Sequence, residues 1–402
     1  MNGRYSAKKT KMKEIIEYII TFLLYGNQNA MQQVGYTADE SQWEKYRVVI
    51  IPNGHLGKEI VMPELDRCAV DSRSAELKDE AITRYVIRTD IVYNTFFFIS
   101  RAEELINAER DEHERFLAKY SILGQNNRLM IPMVDEYARM LMKLLDLPLP
   151  TPSFSQIYLT HDIDSIAQYR HLRGALGGIL RGQWRKVFAS LKDIHHDPAF
   201  TFSWLISQDK RVAEAQSIYF IKDTLGKGYD YPQYKLDSKD YHAVEQLIAN
   251  SEAKIGLHSS YYGDKAIGLL GDKAQFHRSH YLRCSIDRMQ ELANSGITDD
   301  FTMMFPDQVG FRLQTTRPVR WINPKTLSLT NLTLHPLTVM DCTLSNTNYM
   351  NLSEDEAYFE CQRLFEKVHQ NAGEIVLLWH NTNPTGNPYH RSLYPKLLEL
   401  LG

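Results

Sequence analysis

Gln156-Ile157-Tyr158-Leu159-Thr160-His161-Asp162-Ile163-Asp164 begins as a short apolar, β-rich run and ends in two carboxylates two positions apart. A run of this length and composition reads as a strand with a polar far end. The form recurs downstream. SIYFI (217–221), KIGLH (254–258), LHPLTVM (334–340) and EIVLLWH (374–380) are similar runs, and TFSWLI (201–206) reads as another. Helical stretches are expected near 238–250, 281–294 and 353–371, the last opening on Ser353 with Glu356 three residues on, the spacing of a capping box. An irregular middle separates the 281–294 helix from LHPLTVM. Alternating strands and helices imply an α/β fold, a parallel sheet with helices outside it, with chemistry placed at the C-terminal ends of the strands.

Upstream of this series, Pro148, Pro150 and Pro152 crowd the segment LPLPTPSF (147–154). Proline neither continues a helix nor donates to a ladder, so the segment reads as a linker that divides the 402 residues near 150. Residues 151–402 are enough for one large barrel, whereas residues 1–150 form a smaller α+β unit without internal repeat. That unit is expected to hold a helix at 13–25, strands at RVVIIP (47–52) and EIVM (59–62), and the apolar run IVYNTFFFIS (91–100). A further helix is expected at 133–146, where Val134, Tyr137, Met140, Leu141 and Leu144 share one face.

Hydrophobic residues make up 43% and charged residues 24%, which excludes a disordered or fibrous chain. A net charge of -3 with no aromatic-interleaved Lys/Arg stripe argues against nucleic acid as a partner. Cys68, Cys284, Cys342 and Cys361 form no CxxC pair, so neither a disulfide framework nor a cysteine zinc site is expected, and a reducing, cytoplasmic setting fits. The lysines at 8, 9, 11 and 13 precede IIEYIITFLLYG as in a signal peptide, but Glu17 interrupts the apolar run and no small-x-small site follows, so an amphipathic helix is the better reading. No stretch reaches the roughly 20 apolar residues that a transmembrane helix needs.

Alternating acids at a strand end can divide two tasks, one holding a divalent cation and the other taking a proton from water beside it. Asp162 and Asp164 could equally cap a helix or close a turn. His258 in Ile255-Gly256-Leu257-His258 ends another strand, where a neutral imidazole is a natural metal ligand as well as a common structural residue. His380, after Leu377-Leu378-Trp379, ends a third strand and could act as a general acid. Asp341, in Met340-Asp341-Cys342, could hold the tautomer of such a histidine or cap a helix. Coincidence of three histidine- or acid-tipped strands is improbable by chance.

In order along the chain, THDID, GLHSSYY, GFRLQTTRP, VMD and LLWHN resemble the five motifs of the polysaccharide deacetylase (NodB homology, carbohydrate esterase 4-like) family. The resemblance covers roughly residues 155–402 and implies a distorted (β/α)7-type barrel. FFFISRAEEL, DEHERF and LMIPMVDEYARML look like the domain that precedes such barrels in bacterial glycan-biosynthesis proteins. Carried over residue by residue, the resemblance makes Asp162 the catalytic base, Arg312 of Gly310-Phe311-Arg312 its partner, and Asp341 with His380 the acid couple. Asp164 and His258 would be ligands of a divalent metal, zinc foremost. The implied activity is hydrolysis of an N-acetyl group from a glycan or sugar intermediate, as in the making of a bacterial surface polysaccharide.

The sequence departs from the family pattern at Tyr262, where a second histidine is usual, which leaves the metal site one ligand short. His280 in Arg278-Ser279-His280-Tyr281 is the best substitute, with an exposed helical histidine as its plain alternative. His161 and His335 sit at strand edges and are assigned no role, His335 facing the wrong end of a barrel. Trp321 and Trp379 could wall a sugar site or fill the core. Two other function classes stay open: a catalytically inactive barrel that binds glycan or a partner, and a glycosidase using Asp162 with Asp341.

Overall fold

The structure, a computed structural model, describes residues 2–65, 68–77, 80–222, 226–232, 234–262 and 275–402. A helix over Asn2–Leu23 buries Ile15, Ile19 and Leu23, residues four apart and therefore on one face. It packs against a second helix, Met133–Leu144, and a third, Ile91–Ile99, whose nine residues are all buried and whose first turn is capped by Asp90 accepting from Tyr93 N. Nearby lies a small sheet ordered β1 (Val34–Tyr36), β2 (Val48–Ile50), β4 (Glu80–Ile87), β3 (Val70–Leu77), with only β3 antiparallel.

The expected strand at EIVM does not form. Val61 N and O are each 2.7 Å from the Tyr93 hydroxyl, so a side chain satisfies the groups a ladder would have used.

Among the described residues a second sheet of nine strands holds β5 (Gln156–Ile163), β6 (Ala215–Lys222), β7 (Lys254–Ser259), β8 (Phe276–Ser279), β9 (Asp299–Met303), β10 (Val319–Asn323), β11 (Ser328–Pro336), β12 (Val339–Met340) and β13 (Glu374–Leu378). Their order is β10-β11-β9-β8-β7-β6-β5-β13-β12, parallel throughout except for the β10–β11 hairpin at one edge. β9, β10 and most of β11 occupy the stretch between the 281–294 helix and LHPLTVM that reads as irregular in sequence. The sheet curls: Leu337 N bonds to Met303 O of β9, while the next residue, Thr338, bonds to Val376 O of β13, so one chain segment touches both flanks.

TFSWLI is a helix rather than a strand, Phe202–Asp209, and buries Phe202, Leu205 and Asp209 at helical spacing. A six-residue apolar run carries too few periods to separate the two. The capping box at Ser353 and Glu356 is present and starts the helix Glu354–Gln370.

Inside the curl, Ile218, Phe220, Phe301, Leu337, Val376 and Leu378 form an apolar plug. Its N-terminal end is closed by His335, which lies 2.9 Å from both Glu374 Oε1 and Asp299 Oδ1 and stacks on Phe301 at 4.2 Å. Chain segments from the first 150 residues clamp the loop between β9 and β10. Asp135, fully buried, accepts from Thr315 Oγ1, Thr316 N and Oγ1, and Arg317 Nε at 2.7–2.9 Å.

Candidate active site

Because β5, β7, β8, β12 and β13 run in parallel, the residues at their C-terminal ends meet at one rim. There Asp164 Oδ1 lies 3.2 Å from His280 Nε2 and 3.4 Å from His258 Nε2. The two imidazole rings are 4.9 Å apart. His280 is not an exposed helical residue: it is 6% exposed on a single tight turn after β8. That turn places Tyr281 and Leu282 at φ 60 and 54, a left-handed backbone that non-glycine residues adopt at a cost of about 1–2 kcal/mol each.

The donor set fits a cation. His258 Nδ1 lies 3.1 Å from the carbonyl of Arg278, and His280 Nδ1 lies 2.8 Å from Asp230 Oδ1. Each acceptor holds a proton on Nδ1 and so leaves the Nε2 lone pair free, the arrangement in which metal-binding histidines are held. Among the described residues Asp164 Oδ1 and His258 Nε2 are buried with no hydrogen-bond partner, and two buried polar atoms facing each other unsatisfied cost free energy unless a ligand joins them. Burial opposes charge on Asp164, yet His258 and His280 hold its carboxyl well below the usual range. Burial likewise opposes charge on His280, and the Asp164 and Asp230 carboxylates overcome it.

Asp162, 2% exposed, sits beside this cluster with Oδ2 3.7 Å from His258 Nε2. The expected Arg312 partnership does not exist. Arg312 Nη2 donates to Glu104 Oε1 at 2.7 Å and Nη1 to the Met304 carbonyl, binding a segment from the first 150 residues. The guanidinium on Asp162 belongs to Arg278, which donates from Nη1 to Asp162 Oδ1 at 3.0 Å and to Thr160 Oγ1 at 2.8 Å. Arg278 is fully buried with Phe220 4.5 Å away. No motif assigns Arg278 a role, although it stands two residues before His280.

On the other flank, His380 Nδ1 lies 2.7 Å from Asp341 Oδ1, and Nε2 lies 4.0 Å from Asp164 Oδ2. Asp341 is buried and also accepts from His380 N and Asn383 Nδ2. Burial works against a charged His380, but Asp341 outweighs it and raises the imidazole well above its ordinary value.

Tyr262 does not join the cluster. It is half exposed, and its hydroxyl lies 3.4 Å from Tyr229 N. His161 is a core residue, its Nε2 3.0 Å from Asp209 and its Nδ1 2.8 Å from the Trp379 carbonyl. Trp321 and Trp379 are fully buried in the hydrophobic core. The aromatic walls are tyrosines: Asp162, Asp164, His280 and His380 open into a cavity of about 330 Å³ whose rim includes Tyr229, Tyr231, Tyr281 and Tyr349. Arg115, which belongs to DEHERF but carries no assigned role there, and Lys222, which belongs to no motif, also line it. A larger concavity of about 750 Å³ at the opposite end, near Phe154 and Phe365, brings together no metal-donor group among the described residues.

Residues 4–150 match the model of a family described as "Family of unknown function (DUF7033)". No curated protein matches the chain in sequence. A solved structure described as "Crystal structure of putative polysaccharide deacetylase from Mycobacterium smegmatis" aligns with 63% of this chain and 87% of its own at 14% identity and a TM-score of 0.40.

Proposed function

We propose that the chain is a metal-dependent hydrolase that removes an N-acetyl group from a glycan or sugar intermediate. The observation that carries this reading is the convergence of two histidine Nε2 atoms on one carboxylate oxygen, 3.2 and 3.4 Å away, flanked by a second carboxylate and by a histidine–aspartate couple. On this reading Asp164, His258 and His280 hold the cation, with zinc suited to two nitrogens and one oxygen. Such an ion, when bound, supplies Lewis acidity that polarises an acetyl carbonyl and acidifies water near neutral pH.

The protein's own residues do the rest. Asp162, oriented by Arg278, accepts a proton from water as it attacks the acetyl carbon. His380, kept protonated by Asp341, donates from Nε2 to the departing amine. The cavity is wide enough for a monosaccharide, and its tyrosines offer sugar-stacking faces. We read the curled sheet as a distorted (β/α)7 barrel over residues 151–402, with residues 1–150 an accessory domain that braces the loop carrying Arg312 and Arg317.

Release of acetate from N-acetylated oligosaccharides, assayed with and without chelator and beside an assay for new reducing ends, tests the reading. Chelator-sensitive acetate release supports it. Reducing sugar without acetate would replace it with glycosidic cleavage by Asp162 and Asp341, and neither product would leave a binding protein.

A further inference from the structure

Two short helices, Leu172–Leu180 and Trp184–Lys192, form a hairpin beside the cavity rim. Its inward face is small and well packed. Val187 and Ser190 are fully buried, and a Cβ on Gly178 would meet Val187 Cγ2 at 2.6 Å, so glycine there lets the helices approach. The outward face is the anomaly. Leu172, Leu176 and Leu180 recur every four residues, then Trp184, Phe188 and Leu191 follow at i, i+4 and i+7, and these six side chains are 48–87% exposed. A helix covered only by water places polar residues on that stripe.

Charge identifies what covers it. Residues 170–192 contain six Lys or Arg and no Asp or Glu, in a chain of net charge -3. Arg170 is engaged by Asp240, but Arg173, Arg181, Arg185, Lys186 and Lys192 are exposed and have no ion-pair partner among the described residues. Exposed apolar side chains ringed by unpaired cations match a bilayer interface, where the apolar groups enter the headgroup boundary and the cations meet anionic lipid.

We propose that this hairpin is an interfacial anchor that seats the protein on an anionic membrane surface without spanning it. The hairpin reaches the cavity directly: His171, at the start of its first helix, has Nδ1 3.0 Å from the hydroxyl of Tyr231, a residue of the cavity rim. Docking therefore sets the cavity mouth beside the bilayer. The anchor does not depend on the reaction assigned to the site.

Flotation with vesicles of equal parts phosphatidylglycerol and phosphatidylcholine at low salt tests it. The full chain should float with these vesicles and bind pure phosphatidylcholine at least about tenfold more weakly, as five cations near an anionic surface require. The double variant Trp184→Glu, Phe188→Glu, altered at exposed positions only, should keep its melting temperature and lose at least about tenfold in vesicle affinity. Tryptophan emission should shift to the blue on vesicle binding in the native chain and not in Trp184→Phe. His258→Ala should float normally, which separates this proposal from the catalytic one. No flotation of the native chain, undiminished flotation of the double variant, or an apolar face explained instead by a concentration-dependent dimer that the same double variant abolishes, would overturn it.

Discussion

His280 Nδ1 lies 2.8 Å from Asp230 Oδ1 while Nε2 of the same ring lies 3.2 Å from Asp164 Oδ1. One imidazole thus joins a carboxylate that fixes its tautomer to a carboxylate that shares its ligand. Asp230 is itself held by Ser260 Oγ and Tyr261 N, so the ring has little freedom to turn away. Asp230→Asn should weaken metal affinity by about 10- to 100-fold with the fold intact. Competition against a metal-buffering chelator measures this, and an unchanged affinity would remove His280 from the ligand set.

Turnover by the folded protein should tell the buried Arg312–Glu104 pair from the buried Arg278–Asp162 pair. Arg312→Met leaves Glu104 buried with one fewer cation and should cost about 3 kcal/mol in urea unfolding, with the folded fraction still active. Asp162→Asn should keep metal but lower kcat by about 10²- to 10⁴-fold, and because it leaves the fully buried Arg278 without its carboxylate partner it should lower stability as well. A severe kcat loss in Arg312→Met without loss of stability would restore the partnership that the motif suggested.

The Asp341–His380 couple should appear in kcat rather than in KM. Asp341→Asn removes the carboxylate that keeps the imidazole protonated and oriented, so acetate release should fall about 10²- to 10⁴-fold while substrate half-saturation changes little. Steady-state kinetics of the metal-loaded variant decide it, and near-native turnover would show that another group protonates the amine.

At the opposite end of the curled sheet, burial works against charge on His335, but Glu374 and Asp299 prevail and push it up to about 9. An unfolded histidine titrates near about 6.5. The folded state therefore holds the proton more tightly, and His335 contributes fully below about 6.5, progressively less as pH rises, and nothing once pH has passed through about 9. Urea midpoints between these pH values should decline for the native chain and decline less for His335→Gln. Parallel slopes would contradict the pairing.

Much of the site was legible because three short apolar runs ended in Asp162 and Asp164, His258 and His380, and parallel strands bring such ends together. His280 was legible only as a substitute for a missing ligand, since its turn after β8 depends on a left-handed backbone at Tyr281 that no residue type there advertises. Arg278 was not legible: a fully buried arginine against Phe220 looks in sequence like any surface charge. Asp230 lay in a Gly- and Tyr-rich stretch with no periodic pattern around it. In TFSWLI and EIVM the apolar runs were too short to show a period, and contacts distant in sequence, such as Tyr93 with Val61, decided the outcome.

Equilibrium zinc binding by purified apoprotein, compared among the native chain, His258→Ala, His280→Ala and Tyr262→Ala, tests the metal centre most directly. The expected result is tight binding of a single ion in the native chain, a large loss in either histidine variant and none in Tyr262→Ala. No binding by the native chain, or native affinity in His280→Ala, would contradict it.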